Sequence, residues 1–89
     1  PYPNNRNVID KRWLNDDGQG LYAILNQGKS LLGRTGERLA FFPIPRNEQD
    51  AWHGYPTNSK YIGDNLAEHW YSIHVISVGI YRKLLKHIL

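Results

Sequence analysis

Residues 65–89 read NLAEHWYSIHVISVGIYRKLLKHIL, and their apolar positions recur at the spacing of amphipathic helices. Asn65 stands at the start of this run, and Glu68 follows three positions later, which is the pattern of a capping box. One face of the resulting helix collects three large apolar side chains: Leu66, Trp70 and Ile73. The pattern therefore predicts a first helix that packs this face on the rest of the chain.

A second helix is predicted after a break in the pattern at residues 75–76. Ser77 is a favoured N-cap residue, and the chain beyond it runs to the end of the sequence without a proline. Five apolar side chains follow the i, i+3, i+4, i+7 rule: Val78, Tyr81, Leu84, Leu85 and Ile88. We expect the two helices to bury a common apolar stripe and to leave their cationic side chains in water.

The earlier part of the chain predicts an antiparallel meander within residues 20–44. Three short runs of strand length are separated by turns that contain glycine: residues 21–25, 29–32 and 37–44. Pro43 marks a strand end or an edge position, because proline cannot donate to a sheet ladder. Residues 45–60 have no regular period and are predicted to be a long loop.

The expected fold class is α+β: a three-stranded antiparallel meander, a long loop, and two C-terminal helices packed on the sheet. A chain of 89 residues is expected to form one small domain over residues 1–89, with a thin margin of stability. Its core should be rich in aromatic side chains, with three tryptophans as the largest: Trp13, Trp52 and Trp70. Residues 7–14 are ambiguous, and a short helix capped by Asn7 is one interpretation.

Several classes of site are excluded by composition or spacing. The chain has no cysteine, which removes disulfides, thiolate nucleophiles and zinc held by cysteine. His69 and His74 are five positions apart, whereas the helical zinc pattern places two histidines four apart. We therefore expect no metal and no cofactor. No segment approaches the apolar length of a membrane span, so we expect a cytoplasmic protein without a membrane partner.

The basic end of the chain suggests one kind of partner. The formal net charge is +3, and no carboxylate side chain follows Glu68. Arg82, Lys83 and Lys86 share the polar face of the second helix and could contact the phosphates of DNA or RNA. The alternative is that these cations only complement the helix macrodipole. Nucleic-acid binding by these three side chains is therefore one hypothesis among several.

The second candidate site lies in the long loop, around the sequence Trp52-His53-Gly54-Tyr55. A histidine can carry protons near neutral pH, and Arg46 is close enough in sequence to stabilise charge on a phosphodiester. His53 with Arg46 would then be the centre of a small metal-independent ribonuclease. The alternative is that His53 is structural and that the aromatic side chains cover a small core.

We expect binding rather than catalysis. The hypothesis for the whole chain is a small non-enzymatic binding or regulatory module that acts on a macromolecular partner. A protein partner would be met through a free sheet edge or by four side chains of the loop: Arg46, Trp52, His53 and Tyr55. A second copy of the chain is one form of that partner, and DNA or RNA is the competing class.

Overall fold

The computed structural model of the protein describes residues 12–47 and 49–89. Its regular elements are three strands and two helices in this order: β1 (Gly20–Ile24), β2 (Leu39–Pro43), β3 (Tyr55–Thr57), α1 (Asp64–Ser72) and α2 (Val78–Leu85). The strands form one antiparallel sheet in the order β1-β2-β3. The predicted α+β class, with a three-stranded meander before two helices, is confirmed.

One of the three predicted strand positions is wrong, and another is a strand as predicted but comes second in order. Residues 29–32 are not a strand, and the segment predicted as the third strand supplies β2 instead. The third strand, β3, comes from the region that was expected to be an irregular loop. The meander therefore extends from Gly20 to Thr57 rather than ending at Ile44.

The turn after β1 explains why residues 29–32 do not return as a strand. Three consecutive residues adopt positive φ angles of 50°, 57° and 87°: Asn26, Gln27 and Gly28. The guanidinium of Arg38 then donates to the carbonyl oxygens of Gly28 and Lys29, both at 3.0 Å. These bonds hold the backbone at Gly28 and Lys29 against Arg38, the residue that directly precedes β2. Residues 29–38 are a connection instead.

The predicted helix in residues 7–14 lies for the most part outside the described residues. Where the description begins, Leu14 forms an isolated antiparallel bridge with Leu21. Tyr22 donates to the Trp13 oxygen at 2.8 Å. Residues 13–15 therefore pair with the outer side of β1 as extended chain.

The core lies between one face of the sheet and the two helices. Its buried members come from all parts of the described chain: Tyr22, Ile24, Leu39, Ile62, Leu66, Ala67, Trp70, Ile76 and Leu84. Trp70 is fully buried and its indole donates to the Arg12 oxygen at 2.7 Å. Trp13 packs edge-on against Trp70, with ring centroids 5.8 Å apart. Trp52 is half-buried and does not belong to this cluster.

The first helix is capped by a side chain from a distant turn. The carboxylate oxygens of Asp16 accept hydrogen bonds from the amides of Asn65 and Leu66, both at 2.9 Å. The N-cap residue itself is Gly63, and it provides no side chain. The predicted capping box of Asn65 and Glu68 is therefore wrong. Asp16 satisfies two of the free amide groups that every helix start exposes.

The neighbouring residue, Asn15, completes this attachment. Asn15 is buried, accepts from the Gly63 amide at 2.8 Å and donates to the Tyr61 oxygen at 3.2 Å. A Cβ atom on Gly63 would overlap the carboxylate of Asp16, so glycine allows the close approach. We call these bonds of Asn15 and Asp16 to residues 61–66 the turn–helix clamp.

Both helices end in a Schellman motif with histidine in the position that glycine usually takes. After α1, His74 has a φ of 64°, and the amides of His74 and Val75 donate to the oxygens of Tyr71 and Trp70 at 3.2 and 2.9 Å. After α2, His87 has a φ of 57°, and the equivalent two bonds are each 3.0 Å long. Histidine is one of the residue types enriched at positive φ.

The ring of His87 also ties the end of the chain to the segment before α1. Its Nδ1 lies 2.6 Å from the carbonyl oxygen of Ser59, and Ser59 is fully buried. Since a carbonyl oxygen only accepts, Nδ1 must carry the hydrogen in this bond. The amide of Leu89 donates to the Ser59 hydroxyl at 2.9 Å.

The predicted Ser77 cap is confirmed, because its hydroxyl accepts from the Ile80 amide at 3.3 Å.

The turn–helix clamp generates the first testable prediction. Asp16→Ala removes both acceptors at the start of α1 and should lower the free energy of unfolding by about 1–2 kcal/mol. Asp16→Asn keeps one acceptor and should cost less. Asp64→Ala is the matched control, since Asp64 lies in the same helical turn without a side-chain bond to the described residues. Urea unfolding monitored by tryptophan fluorescence gives the three values, and equal losses for Asp16→Ala and Asp64→Ala would contradict the clamp.

The two histidine motifs form a matched pair for the second prediction. His74→Gly removes the strain of a side chain at positive φ, worth about 1–2 kcal/mol, but glycine loses more entropy on folding, which offsets part of this gain. The variant should therefore be more stable than the wild type by about 0.5–1 kcal/mol. His87→Gly has the same backbone effect but loses the bond to Ser59, which is worth about 0.5–1.5 kcal/mol. Its net change should therefore be near zero. Thermal unfolding tests this, and equal stabilisation by both variants would show that the His87 bond contributes nothing.

Candidate partner-binding surfaces

The buried face of the second helix differs from the predicted one, because it is centred on Ile80 and Leu84. Leu84 is fully buried and Ile80 packs against the core beside it, whereas Leu85 and Ile88 remain 37% and 66% exposed. The reason lies in the turn after β1: Gly28 has no side chain, and a methyl group of Ile80 lies 3.3 Å from where its Cβ would be. Ile80 fills that space and turns the helix. The expected burial of Leu84 is confirmed, and that of Leu85 and Ile88 is wrong.

This rotation leaves an apolar strip on the outside of the helix pair. Val78 and Leu85 lie on the same flank of α2, are 44% and 37% exposed, and have Tyr81 between them. The Tyr81 ring stacks on Tyr71 of α1, with centroids 4.9 Å apart and planes 5° apart. Tyr71 is 42% exposed. We call Tyr71, Val78, Tyr81 and Leu85 the helix-pair patch.

One of the predicted nucleic-acid-binding side chains, Arg82, lies next to this patch. Arg82 and Lys83 are exposed on α2, Lys86 is exposed at the C-cap of this helix, and none of the three forms an ion pair within residues 12–47 and 49–89. Arg82 is four positions after Val78, so it lies one helical turn further along the same side. Because no carboxylate side chain follows Glu68 in the sequence, the positive charge at the border of the patch is uncompensated by its own helix.

The loop before β3 brings two of the predicted site residues together. Arg46, Asp50 and His53 line one open surface depression of about 510 Å³. All three are exposed, and the structure gives His53 no hydrogen bond to another described residue. The depression therefore contains a cation, a carboxylate and an imidazole. The cation and the imidazole are the two groups that the sequence predicted for phosphodiester cleavage.

The other two predicted partner-binding residues of this loop lie elsewhere. Trp52 is half-buried and does not line the depression. Tyr55 belongs to β3, where it is 51% exposed and packs edge-on against Phe41 at a centroid distance of 5.9 Å. The four residues Arg46, Trp52, His53 and Tyr55 therefore do not form one continuous surface around the depression.

Tyr55 lines a separate concavity, which we call the sheet-end pocket. It has a volume of about 240 Å³ and lies where the turn after residue 14 meets the helix side of the sheet. Tyr22, Phe41, Tyr55 and Tyr61 supply its aromatic walls, and Asp17 supplies its one carboxylate. Burial raises the pKa of the Tyr22 hydroxyl, and the negative charges of Asp17 and Tyr55 add to the effect.

The open edge of β3 is poorly suited to accept another strand. The Ile44 amide donates to the Gln19 oxygen across the β1–β2 pair at 3.1 Å, so even-numbered residues of β2 bond to β1 and odd-numbered ones to β3. Phe41 and Tyr55 are therefore a hydrogen-bonded pair. The next residue, Pro56, turns its nitrogen to the open edge, where it has no hydrogen to donate. Proline at this position discourages edge pairing.

Within residues 12–47 and 49–89, no three histidine, aspartate or glutamate side chains are grouped so that they could hold a metal ion. The helices of the same residues are all too short or too polar to cross a bilayer.

Sequence patterns could not reveal these surfaces in full. The Tyr71–Tyr81 stack joins two helices, and a helical period describes only one helix at a time. The exposure of Val78 and Leu85 depends on the space beside Gly28, which lies about fifty positions earlier in the chain. The sheet-end pocket has a partial sequence signal, because Tyr22 and Phe41 occur in predicted strands, but their pairing required the observed register.

The raised pKa of Tyr22 generates the third prediction. The folded protein holds the Tyr22 proton more tightly than the unfolded chain, in which tyrosine titrates near 10. As the pH rises above that value, the unfolded chain loses this proton first, so the free energy of unfolding falls until the folded-state pKa is also passed. Tyr22→Phe should remove this contribution to the fall in the free energy of unfolding at alkaline pH. Urea unfolding midpoints of the wild type and of Tyr22→Phe, measured at neutral pH and above pH 10, test this prediction. An equal fall in the midpoint of both proteins would contradict it.

Comparison with known proteins does not assign these surfaces. Neither a scan against protein-family models, nor a search of curated proteins, nor a search of solved structures found a match to this chain. Function must therefore be argued from the contacts, charges and exposure described above.

Proposed function

We propose that the protein is a non-enzymatic binding module that uses the helix-pair patch to bind another protein. The observation that carries the proposal is the stack of exposed Tyr71 on half-buried Tyr81, with the exposed side chains of Val78 and Leu85 beside it. Tyrosine and arginine recur at the energetic centres of protein interfaces, and Arg82 borders this patch. The partner surface is apolar where it meets the patch and acidic where it meets the cations of α2, because opposite charges steer and orient association.

The chemistry of the patch favours a protein over a nucleic acid. Interfaces with DNA are more polar and more positively charged than interfaces between proteins. On α2, the exposed surface is divided between an apolar flank, formed by Val78 and Leu85, and a basic flank that contains Lys83 and Lys86. Phosphates would pair with the basic flank and leave the apolar flank without a partner.

The same charges disfavour a second copy of the chain as the partner. In a symmetric dimer through the patch, each α2 would face its equivalent, and Arg82 of one copy would approach the like-charged surface of the other. Like charges that face each other across an interface cost several kcal/mol. We therefore expect a different protein, with a surface that contributes aspartate or glutamate.

The proposal is tested by comparing two substitutions of the same type. Leu85→Glu places a negative charge in the patch, whereas Leu31→Glu changes a leucine that is 59% exposed and lies outside it. Proteins captured by the wild type and by Leu31→Glu, but not by Leu85→Glu, are candidate partners. With one of these purified, calorimetry should show that Leu85→Glu and Tyr71→Ala weaken binding by about thirtyfold or more.

Three outcomes would contradict this function. Capture or affinity that is unchanged by Leu85→Glu would separate binding from the patch. A dimer in light scattering that Leu85→Glu dissociates would make the partner a second copy. Binding of mixed-sequence RNA or duplex DNA that weakens steeply with salt, and that Lys83→Gln with Lys86→Gln abolishes, would replace the protein partner by a nucleic acid.

The depression around His53 supports a second candidate function. Arg46, Asp50 and His53 line it together, and this set could transfer a proton and stabilise charge during metal-independent RNA cleavage. Degradation of RNA in the presence of a chelator should disappear in His53→Ala while the unfolding midpoint stays unchanged. A preparation without such activity, or an active His53→Ala variant, would remove this candidate.

A further inference from the structure

The sheet-end pocket is independent of the helix-pair patch, and four of the eight described residues that line it are aromatic. The other four are polar: Asn15, Asp17, Gln19 and Thr57. Each strand contributes one ring: Tyr22 from β1, Phe41 from β2 and Tyr55 from β3. Neighbouring rings along this row have centroids 4.8 and 5.9 Å apart. Tyr61 closes the fourth side from the segment that precedes α1. The pocket is therefore a concave cluster of four rings rather than a flat surface.

The four rings differ in solvent exposure, from a buried base to an open rim. Tyr22 is 3% exposed and Phe41 is half-buried, whereas Tyr55 and Tyr61 are 51% and 71% exposed. The backbone of Tyr61 is held in place by the bond from Asn15, which belongs to the turn–helix clamp. The base of the pocket is thus part of the folded core, and its rim is accessible from solvent.

The charge in the pocket has one sign. Among residues 12–47 and 49–89, Asp17 is the single carboxylate that lines it, and no lysine, arginine or histidine does so. One oxygen of Asp17 accepts from the Gln19 amide at 3.0 Å, which orients the carboxylate. Asp17 and the buried Tyr22 line the same pocket, so the negative charge lies near its base.

We propose that the sheet-end pocket binds a compact organic cation that carries an alkylated ammonium group. The face of an aromatic ring is electrically negative and attracts cations, and rings arranged around a concavity recognise quaternary ammonium ions in this way. Asp17 supplies the balancing negative charge. The methyl groups of such a cation pack on the ring faces and need no hydrogen bonds.

The chain itself contains an example of this contact at the rim. The Lys60 ammonium lies 5.3 Å from the centroid of the Tyr61 ring. This distance is within the range at which a cation and a ring attract each other. Tyr61 therefore already presents a ring to a positive charge. Lys60 does not line the pocket, so its ammonium does not occupy the interior.

Two soluble probes of the same shape separate a cation site from an ordinary apolar cavity. Choline carries the trimethylammonium group, and 3,3-dimethylbutan-1-ol is its neutral counterpart. We expect choline to shift the NMR signals of Tyr22, Tyr55 and Tyr61 in a saturable way. The neutral alcohol should bind at least about tenfold more weakly than choline. Equal affinities, or no saturable shift with choline, would overturn the proposal.

Variants locate the binding within the pocket. Asp17→Asn keeps the acceptor for the Gln19 amide and removes the charge, so it should weaken choline binding by about tenfold and leave the alcohol unaffected. Tyr61→Ala removes a rim ring and should weaken choline binding severalfold. Tyr71→Ala, in the helix-pair patch, is the matched control and should leave it unchanged. Unaltered choline affinity in both Asp17→Asn and Tyr61→Ala, with unfolding midpoints like the wild type, would place the binding elsewhere and overturn the assignment.

Discussion

The amide groups at the start of α1 take their acceptors from a turn that precedes them by 49 and 50 positions. A helix start without acceptors would be costly in a chain of this size, and Gly63 offers no side chain to supply them. Asp16 therefore joins the first helix to the hairpin that begins the sheet, and buried Asn15 fixes the segment that precedes the helix. The position of Trp70, and with it the core between the sheet and the helices, depends on this attachment.

The opposite end of the helix pair is held by a second set of polar contacts. Ser59 is buried against the last residues of the chain, where the His87 ring and the Leu89 amide bond to it. The two helices are thus tied to the segment between β3 and α1 at one end and to the first hairpin at the other. Their outer surface is rigid, so Tyr71 and Tyr81 can offer a preformed contact area. Preformed surfaces lose less entropy on binding, which supports the proposed role in protein recognition.

The turn–helix clamp also links the fold to the sheet-end pocket. Asn15 holds the backbone of Tyr61, and Asp17 follows the capping residue directly in the chain. The same short turn therefore stabilises the helix and supplies a wall and the charge of the pocket. The pocket opens beside the sheet, whereas the helix-pair patch is built on the two helices, so the two proposed binding surfaces are separate.

Local patterns predicted the parts of the fold that depend on neighbouring residues. The helices, the Ser77 cap and the strand that starts at Gly20 follow from periodicity and capping chemistry. The strand predicted at residues 29–32 was wrong: the chain turns through three residues with positive φ after β1, and Arg38 bonds to the backbone that follows this turn. The edge strand Tyr55–Thr57 was missed because three residues around a proline carry little strand signal and are ordered by pairing with β2.

The sequence by itself determined that the chain forms a meander and two amphipathic helices, with the cations Arg82, Lys83 and Lys86 on the second. These features depend on the spacing of residues along the chain, because that spacing determines which side chains share one face of a helix or strand. Only the tertiary structure decided which apolar side chains remain exposed to solvent. It also decided which carboxylate caps α1 and which one lines the sheet-end pocket. Those outcomes depend on distant contacts, such as Ile80 in the space beside Gly28 and Asp16 at the start of α1. Side chains compete for the same buried volume and the same amide groups, and a linear pattern does not contain the result of that competition.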